Sequence, residues 1–336
     1  MSILNPKNQN KTDEHKKDIH RFSFSRFRTF HTCPRKHYYQ YIEQIQTEEN
    51  EYTIPGKLFH KCIEQFLREE DMSETFKEFR TLCTTGKLEL APDLLEYMVT
   101  KYLQYYALEY SKETTLLVEQ EYKDPLDGDD FLLVVIDQAF EKDGVHYIRD
   151  IKTTQKKLKY TLDDVTHNQQ MLLYLPYVEE NLSVKIDAIQ IDEVRFAKLE
   201  PVPRNANGKP SADKRRLELV DYNEYYEALC EMELENAPEY RGALEYLRDR
   251  GHPLFNRVTA QVLDPYVVSA NSQDMLNTYK AIKLIQEGGD QMDSAYRIKG
   301  PLCNYCAFKE LCDHDMHAID TAGREMIKEK ICKKSD

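Results

Sequence analysis

The strongest constraint in this sequence is the stretch from Phe131 to Lys152, FLLVVIDQAFEKDGVHYIRDIK. Two runs rich in Val, Ile, Phe and Tyr flank Asp143-Gly144, and Asp-Gly between apolar runs is the strongest short-range signal for a β-hairpin. With Asp143 and Gly144 as the loop of a type I′ turn, Lys142 pairs with Val145. Counting back along the ladder sets Asp137 directly opposite Asp150. Side chains two apart on a strand share a face, so Lys152 lies beside Asp150. Directly opposed residues have Cβ atoms about 4.5–5.5 Å apart. Two carboxylates held that close repel unless a cation sits between them.

An Asp and an Asp-x-Lys gathered on one sheet face suit metal-assisted hydrolysis of a phosphodiester. Hard oxygen ligands select Mg²⁺ or Mn²⁺. Such a cation makes a bound water a better nucleophile and neutralises charge developing on the phosphate. Lys152 could orient that water or help deprotonate it. The competing reading is a surface hairpin with a cross-strand ion pair, and the rest of the chain has to decide between them.

The 336 residues suffice for one large domain or two ordinary ones, and 31% charged with 41% apolar residues fits a globular protein. The net charge of −13 argues against a non-specific coating of nucleic acid. It leaves room for a local basic groove, and Lys152, Lys156, Lys157 and Lys159 form one such cluster, if they are not simply a solvated loop. No apolar run is long enough to span a bilayer and no signal-peptide core follows the start, so a cytoplasmic protein is expected, without a membrane partner. In that compartment the eight cysteines are read for metal rather than for disulfides.

Residues 1–20 read as a disordered tail. From Arg21, RFSFSRFRTFHTCPRKHYYQYI places Phe27, Phe30, Tyr38, Tyr41 and Ile42 at helical spacing, with Ser25 as N-cap and Pro34 dividing two short helices near Cys33. Pro55-Gly56 opens a helix whose apolar stripe is Phe59, Cys62, Ile63, Phe66 and Leu67, with His60 and Glu64 on an adjacent face. Helical pattern continues from Met72 to Tyr110, with Pro92 starting a further helix. Leu116 to Tyr122 reads as a strand carrying Glu119 and Glu121. After the hairpin, a helix is expected from about Asp163 to Val178, with Gln170 and Tyr174 on one face and Pro176 near its end or kinking it. Val184 to Phe196 reads as one or two strands. The run from Pro201 to Arg216 is a mobile basic arm or a plain linker. Residues 217–250 and 272–288 look helical, with a short strand at Tyr266 to Val268.

The C-terminal CNYCAFKELC sets Cys303, Cys306 and Cys312 at a metal-ligand spacing. A fourth ligand must come from elsewhere, with Cys33 the best candidate and His314 and Cys332 as competitors. Four thiolates could hold zinc or an iron–sulfur cluster.

Taken in order, these pieces resemble the PD-(D/E)xK nuclease superfamily, and most closely its RecB-like branch with an iron–sulfur staple, which includes the AddB nuclease domain and the CRISPR spacer-acquisition exonucleases. The resemblance spans residues 21 to 312. Ser23, Ser25 and Cys33-Pro34-Arg35-Lys36-His37-Tyr38-Tyr39 match the family's entry motif. Gly56 to His60 match its Gly-x-x-x-His, Asp137 and Asp150-Ile151-Lys152 its Asp and Asp-x-Lys, and Gln170 and Tyr174 its Gln-x-x-x-Tyr. One departure stands out: a glycine common just before the metal-binding Asp is replaced by the run Val134, Val135, Ile136.

The resemblance implies an α/β fold with a restriction-endonuclease-like core, a small mixed sheet flanked by helices. A single nuclease domain over 21–320 would carry helical insertions at about 61–115 and 217–290, an iron–sulfur segment at 300–314, and a tail at 321–336. It implies a metal-dependent deoxyribonuclease, acting as an exonuclease on single strands or resected ends in recombination, repair or phage DNA metabolism, in a bacterial or phage-infected cell. His60, Asp137, Asp150 and the carbonyl of Ile151 would hold Mg²⁺ or Mn²⁺, Lys152 would assist the attacking water, and Glu119 would add a ligand or a water contact. Gln170 and Tyr174 would position DNA, with Lys156 and Lys157 following its backbone and Tyr38, Tyr39, Tyr41 and Tyr174 offering rings for stacking. Cys33, Cys303, Cys306 and Cys312 would enclose a [4Fe-4S] cluster. No phosphate-binding Gly-x-x-x-x-Gly-Lys-Ser/Thr loop occurs, so a helicase or recombination partner would supply any motor. The alternatives are a catalytically weak DNA-binding or scaffold subunit of a helicase–nuclease complex, and a zinc-stapled nuclease.

Overall fold

The computed structural model describes residues 19–47, 53–262, 264–288, 295–317 and 320–333. The N-terminal tail expected at 1–20 thus lies outside the described residues apart from Ile19 and His20. In chain order the elements are β1 (Arg21–Phe22), α1 (Phe24–Thr32) and α2 (Pro34–His37), the last running on as a π-helical turn at Tyr38–Ile42. Then come α3 (Thr53–Leu67), α4 (Ser73–Thr84), α5 (Leu94–Tyr105), α6 (Ala107–Tyr110), β2 (Thr114–Pro125), β3 (Phe131–Lys142) and β4 (Val145–Thr154). They are followed by α7 (Leu162–Thr166), α8 (Gln169–Leu182), β5 (Ala188–Arg195), α9 (Tyr222–Cys230), α10 (Pro238–Arg250) and β6 (Phe255–Gln261). The chain closes with α11 (Pro265–Glu287), α12 (Lys309–His317) and α13 (Thr321–Lys333). Among the described residues no helix is long and apolar enough to cross a membrane.

The strands form one mixed six-stranded sheet in the order β1-β3-β4-β5-β6, with β2 also paired to β3. This is the mixed α/β sheet flanked by helices that the sequence implies. The chain clusters into two compact units. One comprises Asn50–Gln120 and Val135–Ser269, the other Met1–Glu49, Glu121–Val134 and Ala270–Asp336.

In the first of these, the hairpin has the expected register. Asp143 and Gly144 both have positive φ, 54° and 77°, as a type I′ turn requires. Lys142 pairs with Val145 and Gln138 with Arg149, so Asp137 and Asp150 are the next opposed positions. β4 then pairs in parallel with β5, Asp150 against Ile191 and Lys152 against Glu193. A parallel pair needs a crossover, and α7 and α8 supply it. This crossover is not the one helix read over 163–178. Thr161 and Asp164 form a capping box for α7, and Asn168 caps α8 by accepting from the Met171 N–H. Two competing start signals split the helix at His167–Asn168. Pro176 does not end α8, which runs on to Leu182.

The reverse face of β4 carries a polar ribbon. Arg149, fully buried, donates from Nη1 to Gln138 Oε1 at 2.8 Å and from Nε to Gln190 Oε1 at 2.7 Å. Gln190 Nε2 donates on to Thr259 Oγ1 at 2.9 Å. Each residue stands beside the next across β3, β4, β5 and β6. Glu113 balances the guanidinium charge, accepting from Nη1 at 2.9 Å. Buried Asp192 is matched by Arg257 and by the hydroxyl of Tyr102. Buried charges of this kind persist only when fully partnered.

Helices α3, α4 and α5 pack Phe59, Phe79, Leu95, Met98 and Tyr102 into a core against Ile151, Val194 and Phe255. Phe66, read as part of the α3 stripe, is instead 37% exposed. The run 201–216 is neither a free arm nor a plain linker. It folds back on itself through Ser211 N–H to Pro203 O at 2.7 Å and is pinned by the Tyr225 hydroxyl on Ser211 O at 2.9 Å. The strand expected at Tyr266–Val268 is helical, since Pro265 opens α11. The strand of this region is β6 instead, antiparallel to β5.

In the other unit, the N-cap of α1 is Ser23, not Ser25: its side chain accepts from the Arg26 N–H. The two short helices meet at Cys33 as expected. Asp130, at the start of β3, accepts from the Tyr279 hydroxyl at 2.9 Å and pairs with Lys283 and His20, both at 2.8 Å. The expected C-terminal tail contains α13, held by Arg324 on Asp315 and Glu43 at 2.8 and 2.7 Å.

Candidate active site

Three elements aim side chains at one point. His60 comes from α3. Gly56, one turn earlier, lets this helix approach β4: a Cβ there would stand 2.5 Å from Thr153 Oγ1. This gives the Gly-x-x-x-His spacing a physical reason, since the glycine sets the distance at which the histidine reaches the sheet. Asp137 comes from β3, its Oδ2 accepting from the Ile151 N–H at 3.0 Å. Glu119 comes from β2, where its own φ of 44° breaks the regular strand. Left-handed backbone at a non-glycine residue is costly and tends to be kept where a side chain must be aimed.

His60 Nδ1 lies 3.3 Å from Asp137 Oδ2 and 4.0 Å from Glu119 Oε1. Ligand atoms of His60, Glu119 and Asp137 all fall within 4.8 Å of one another. Burial alone would lower the His60 pKa, but the charges of Asp137, Asp150 and Glu119 outweigh it and push it up to about 9. Burial, and then the charge of Asp137, pushes Glu119 up to about 7. A pocket of carboxylates that draws a proton onto its histidine is one whose charge a divalent cation would balance. One imidazole and several carboxylate oxygens are a fitting donor set for Mg²⁺ or Mn²⁺.

Asp150 and Lys152 stand beside this trio. Lys152 Nζ is 2.6 Å from Asp150 Oδ2 and donates to Gln170 Oε1 at 2.9 Å. Gln170 Nε2 donates to Asp150 Oδ1 at 3.4 Å and to the Tyr174 hydroxyl at 3.3 Å. Burial would lower the Lys152 pKa, but the Asp150 carboxylate outweighs it and raises it. Its position beside Asp150 suits it to orienting a water or a phosphate oxygen.

The site residues read from the sequence thus meet, with two adjustments. Glu119 joins His60 and Asp137 in the close trio, while Asp150 is engaged by Lys152 and Gln170. Tyr174 is only 8% exposed, as are Tyr38 and Tyr39 at 9% and 1%, so these rings have no open face for a base. The stacking expected of them is ruled out by burial. Ile151 lies in β4 with its side chain in the helical core. Lys156 and Lys157 are exposed, Lys157 Nζ lying 3.0 Å from Glu218. Sequence reasoning missed Thr153, on which Gly56 closes, and Glu193, whose Oε2 accepts from Lys159 and Tyr160 N–H at 2.7 and 3.0 Å and so fixes the loop after Lys152. The signal was present: Asp192-Glu193 between Ile191 and Val194 in a strand demands buried partners.

In the other unit, Cys33, Cys303, Cys306 and Cys312 line one cavity of about 320 Å³, with Arg35 and Lys36 at its wall. Cys33 is the residue between α1 and α2, Cys303 and Cys306 lie at a 3₁₀ turn, and Cys312 is on α12. The Gly300 N–H points at Cys303 Sγ at 3.5 Å, and Arg297 approaches Cys312 Sγ at 4.0 Å. His314 and Cys332, the rivals for fourth ligand, do not line the cavity.

A mixed sheet that sets an Asp opposite an Asp-x-Lys, with a histidine and a glutamate closing on the first Asp, is the architecture of a metal-dependent phosphodiesterase. The family description of the PD-(D/E)XK nuclease superfamily matches residues 21–313, and the chain belongs to that superfamily. No curated protein gives a significant match to the sequence.

Proposed function

We propose that the protein is a metal-dependent exonuclease that degrades single-stranded DNA from an end, as part of recombination, repair or phage DNA processing, in the cytoplasm and alongside a helicase or recombination partner. The observation that carries the catalytic part is the convergence of His60, Glu119 and Asp137 beside the Asp150–Lys152 pair. His60, Glu119, Asp137 and Asp150 would hold Mg²⁺ or Mn²⁺, with the Ile151 carbonyl completing the set. The cation supplies charge neutralisation at the scissile phosphate and a more acidic water. Lys152 donates hydrogen bonds to the attacking water or a phosphate oxygen. Gln170 fixes the Lys152 ammonium and the Asp150 carboxylate together, and Tyr174 holds Gln170 in turn. Lys156 and Lys157, on the exposed loop beyond β4, attract the strand's backbone.

The four cysteines would hold a [4Fe-4S] cluster. The four line one cavity of about 320 Å³, with Arg35 and Lys36 at its wall, which supports a shared metal group. Such a staple between Cys33 and Cys303 closes a very long loop and restricts the unfolded chain, by about 4–5 kcal/mol in the entropic picture.

End-labelled linear single strands and closed single-stranded circles, each with Mg²⁺ and with Mn²⁺, test the reading. Linear strands should fall to short products while circles persist. Equal rates on both, with an Asp150→Asn control silent, would make the enzyme an endonuclease. No cleavage with either metal would leave a binding or scaffold subunit.

A further inference from the structure

A second cleft, of about 730 Å³, lies in the same compact unit as the metal residues, within the roughly 300–1,000 Å³ of ligand sites. Its floor is aromatic. His252 stacks on Phe255 with centroids 4.7 Å apart and planes 5° apart, and Tyr105 lies against His252 at 4.5 Å. Backed in this way, Tyr105 is nonetheless 51% exposed: a fixed ring with an open face. Lys159 stands at the edge, exposed. Arg250 adds a charge tied to three carbonyls, those of Leu217, Glu218 and Val220, rather than to a carboxylate. Glu109 is the one carboxylate of the described lining and Leu158 its one aliphatic side chain.

Aromatic face plus ammonium is the chemistry of a nucleobase with its phosphate. An apolar peptide would need the aliphatic walls this cleft lacks. The chain connects the active-site strand to this cleft. The loop leaving Lys152 enters it at Lys159 and Tyr160, pinned to Glu193 and by Asn256 Nδ2 on Tyr160 O at 2.9 Å.

We propose that this cleft binds an unpaired nucleotide of the substrate strand, its base stacked on Tyr105 and its phosphate met by Lys159. The inference rests on the nuclease reading above. Its test is read without metal or cleavage, as fluorescence anisotropy of a labelled short oligothymidylate in EDTA. Tyr105→Ala should weaken binding about tenfold, and Tyr105→Trp should restore it. Lys159→Ala should flatten the salt dependence by about 0.7 in the log–log slope. Unchanged affinity in Tyr105→Ala and an unchanged slope in Lys159→Ala, with cleavage by the wild type intact, would overturn this inference alone. Thymidine monophosphate competing as well as the oligonucleotide would also overturn it, since the cleft would then be a mononucleotide site. Absent cleavage with Tyr105-dependent binding intact would instead overturn the nuclease reading.

Discussion

Lys152 Nζ sits 2.6 Å from Asp150 Oδ2, on the same strand and the same sheet face, and the single side chain of Gln170 reaches both residues, accepting from Lys152 Nζ at 2.9 Å and donating to Asp150 Oδ1 at 3.4 Å. Charge, counter-charge and clamp form one unit, so removing any member should disturb the other two.

Asp150→Asn and Lys152→Ala should each leave a folded protein with cleavage reduced about 1,000-fold or more, since several kcal/mol of transition-state stabilisation is lost. Gln170→Ala should reduce cleavage less. End-labelled DNA assays beside circular dichroism check this, and wild-type rates in folded Asp150→Asn would end the assignment.

Gly56→Ala should destabilise the protein by about 1–3 kcal/mol, because the new Cβ would stand 2.5 Å from Thr153 Oγ1. It should also weaken metal binding by shifting His60. Thr153→Ala removes the offending hydroxyl, leaving its Cβ at an ordinary 3.7 Å. The double variant should therefore recover most of both losses. A double-mutant cycle by urea denaturation, together with Mn²⁺ titration, reads the coupling. Purely additive effects would show that the close approach does not place His60.

Protein purified without oxygen should be brown, with about four irons per chain. Replacing Cys33, Cys303, Cys306 or Cys312 by Ala should remove the iron and much of the stability. Cys62, Cys83, Cys230 and Cys332 lie away from that cavity, and their Ala variants should keep the colour. Iron analysis decides it, and colourless protein with one zinc would reinstate the zinc staple.

His37 should make the protein acid-sensitive. It is buried, and its Nε2 accepts from Arg26 Nε at 3.2 Å, which requires the neutral ring. Burial, and then the Arg26 charge, lowers its pKa to about 3 from 6.5. Between those values the unfolded chain binds a proton that the folded chain refuses. The stability from the neutral ring is therefore complete above pH 6.5 and is lost as pH falls toward 3, by about 1.4 kcal/mol per pH unit. His37→Gln keeps an acceptor for Arg26 and should flatten that slope. His252, lowered to about 4 by burial, would leave a residual one. Urea midpoints across this pH range measure the difference, and an unchanged slope would remove His37 as its source.

The hairpin was legible because one turn type dictates everything after it. Once Asp143 and Gly144 both take positive φ, the pairing of Asp137 with Asp150 is arithmetic. Gly56 and His60 were legible as a spacing, but the reason for the glycine lay on another strand, at Thr153. What stayed hidden depended on partners far away in the chain. Glu119 looked like one of two strand acids until its left-handed backbone aimed it at His60. Tyr174 looked like a ring for DNA, and its burial against α8's surroundings could not be read from a four-residue spacing. β6 was missed because FNRVTAQ carries polar residues whose partners lie far away in the chain, Arg257 on Asp192, Thr259 beside Gln190 and Asn256 on Tyr160 O.

The polar ribbon through Gln138, Arg149, Gln190 and Thr259 has a consequence for catalysis, although none of these residues belongs to the active site. A strand that slips by one residue turns its apolar side outward, and the hydrophobic effect forbids that. A slip by two keeps every side chain on its proper face, and oily contacts tell such registers apart poorly. Arg149 does discriminate, because after such a slip its guanidinium would meet neither glutamine and would lose the hydrogen bonds that tie it to both neighbouring strands. The back of β4 thus serves as an index mark for the front, fixing which residue of the strand comes to rest opposite Asp137.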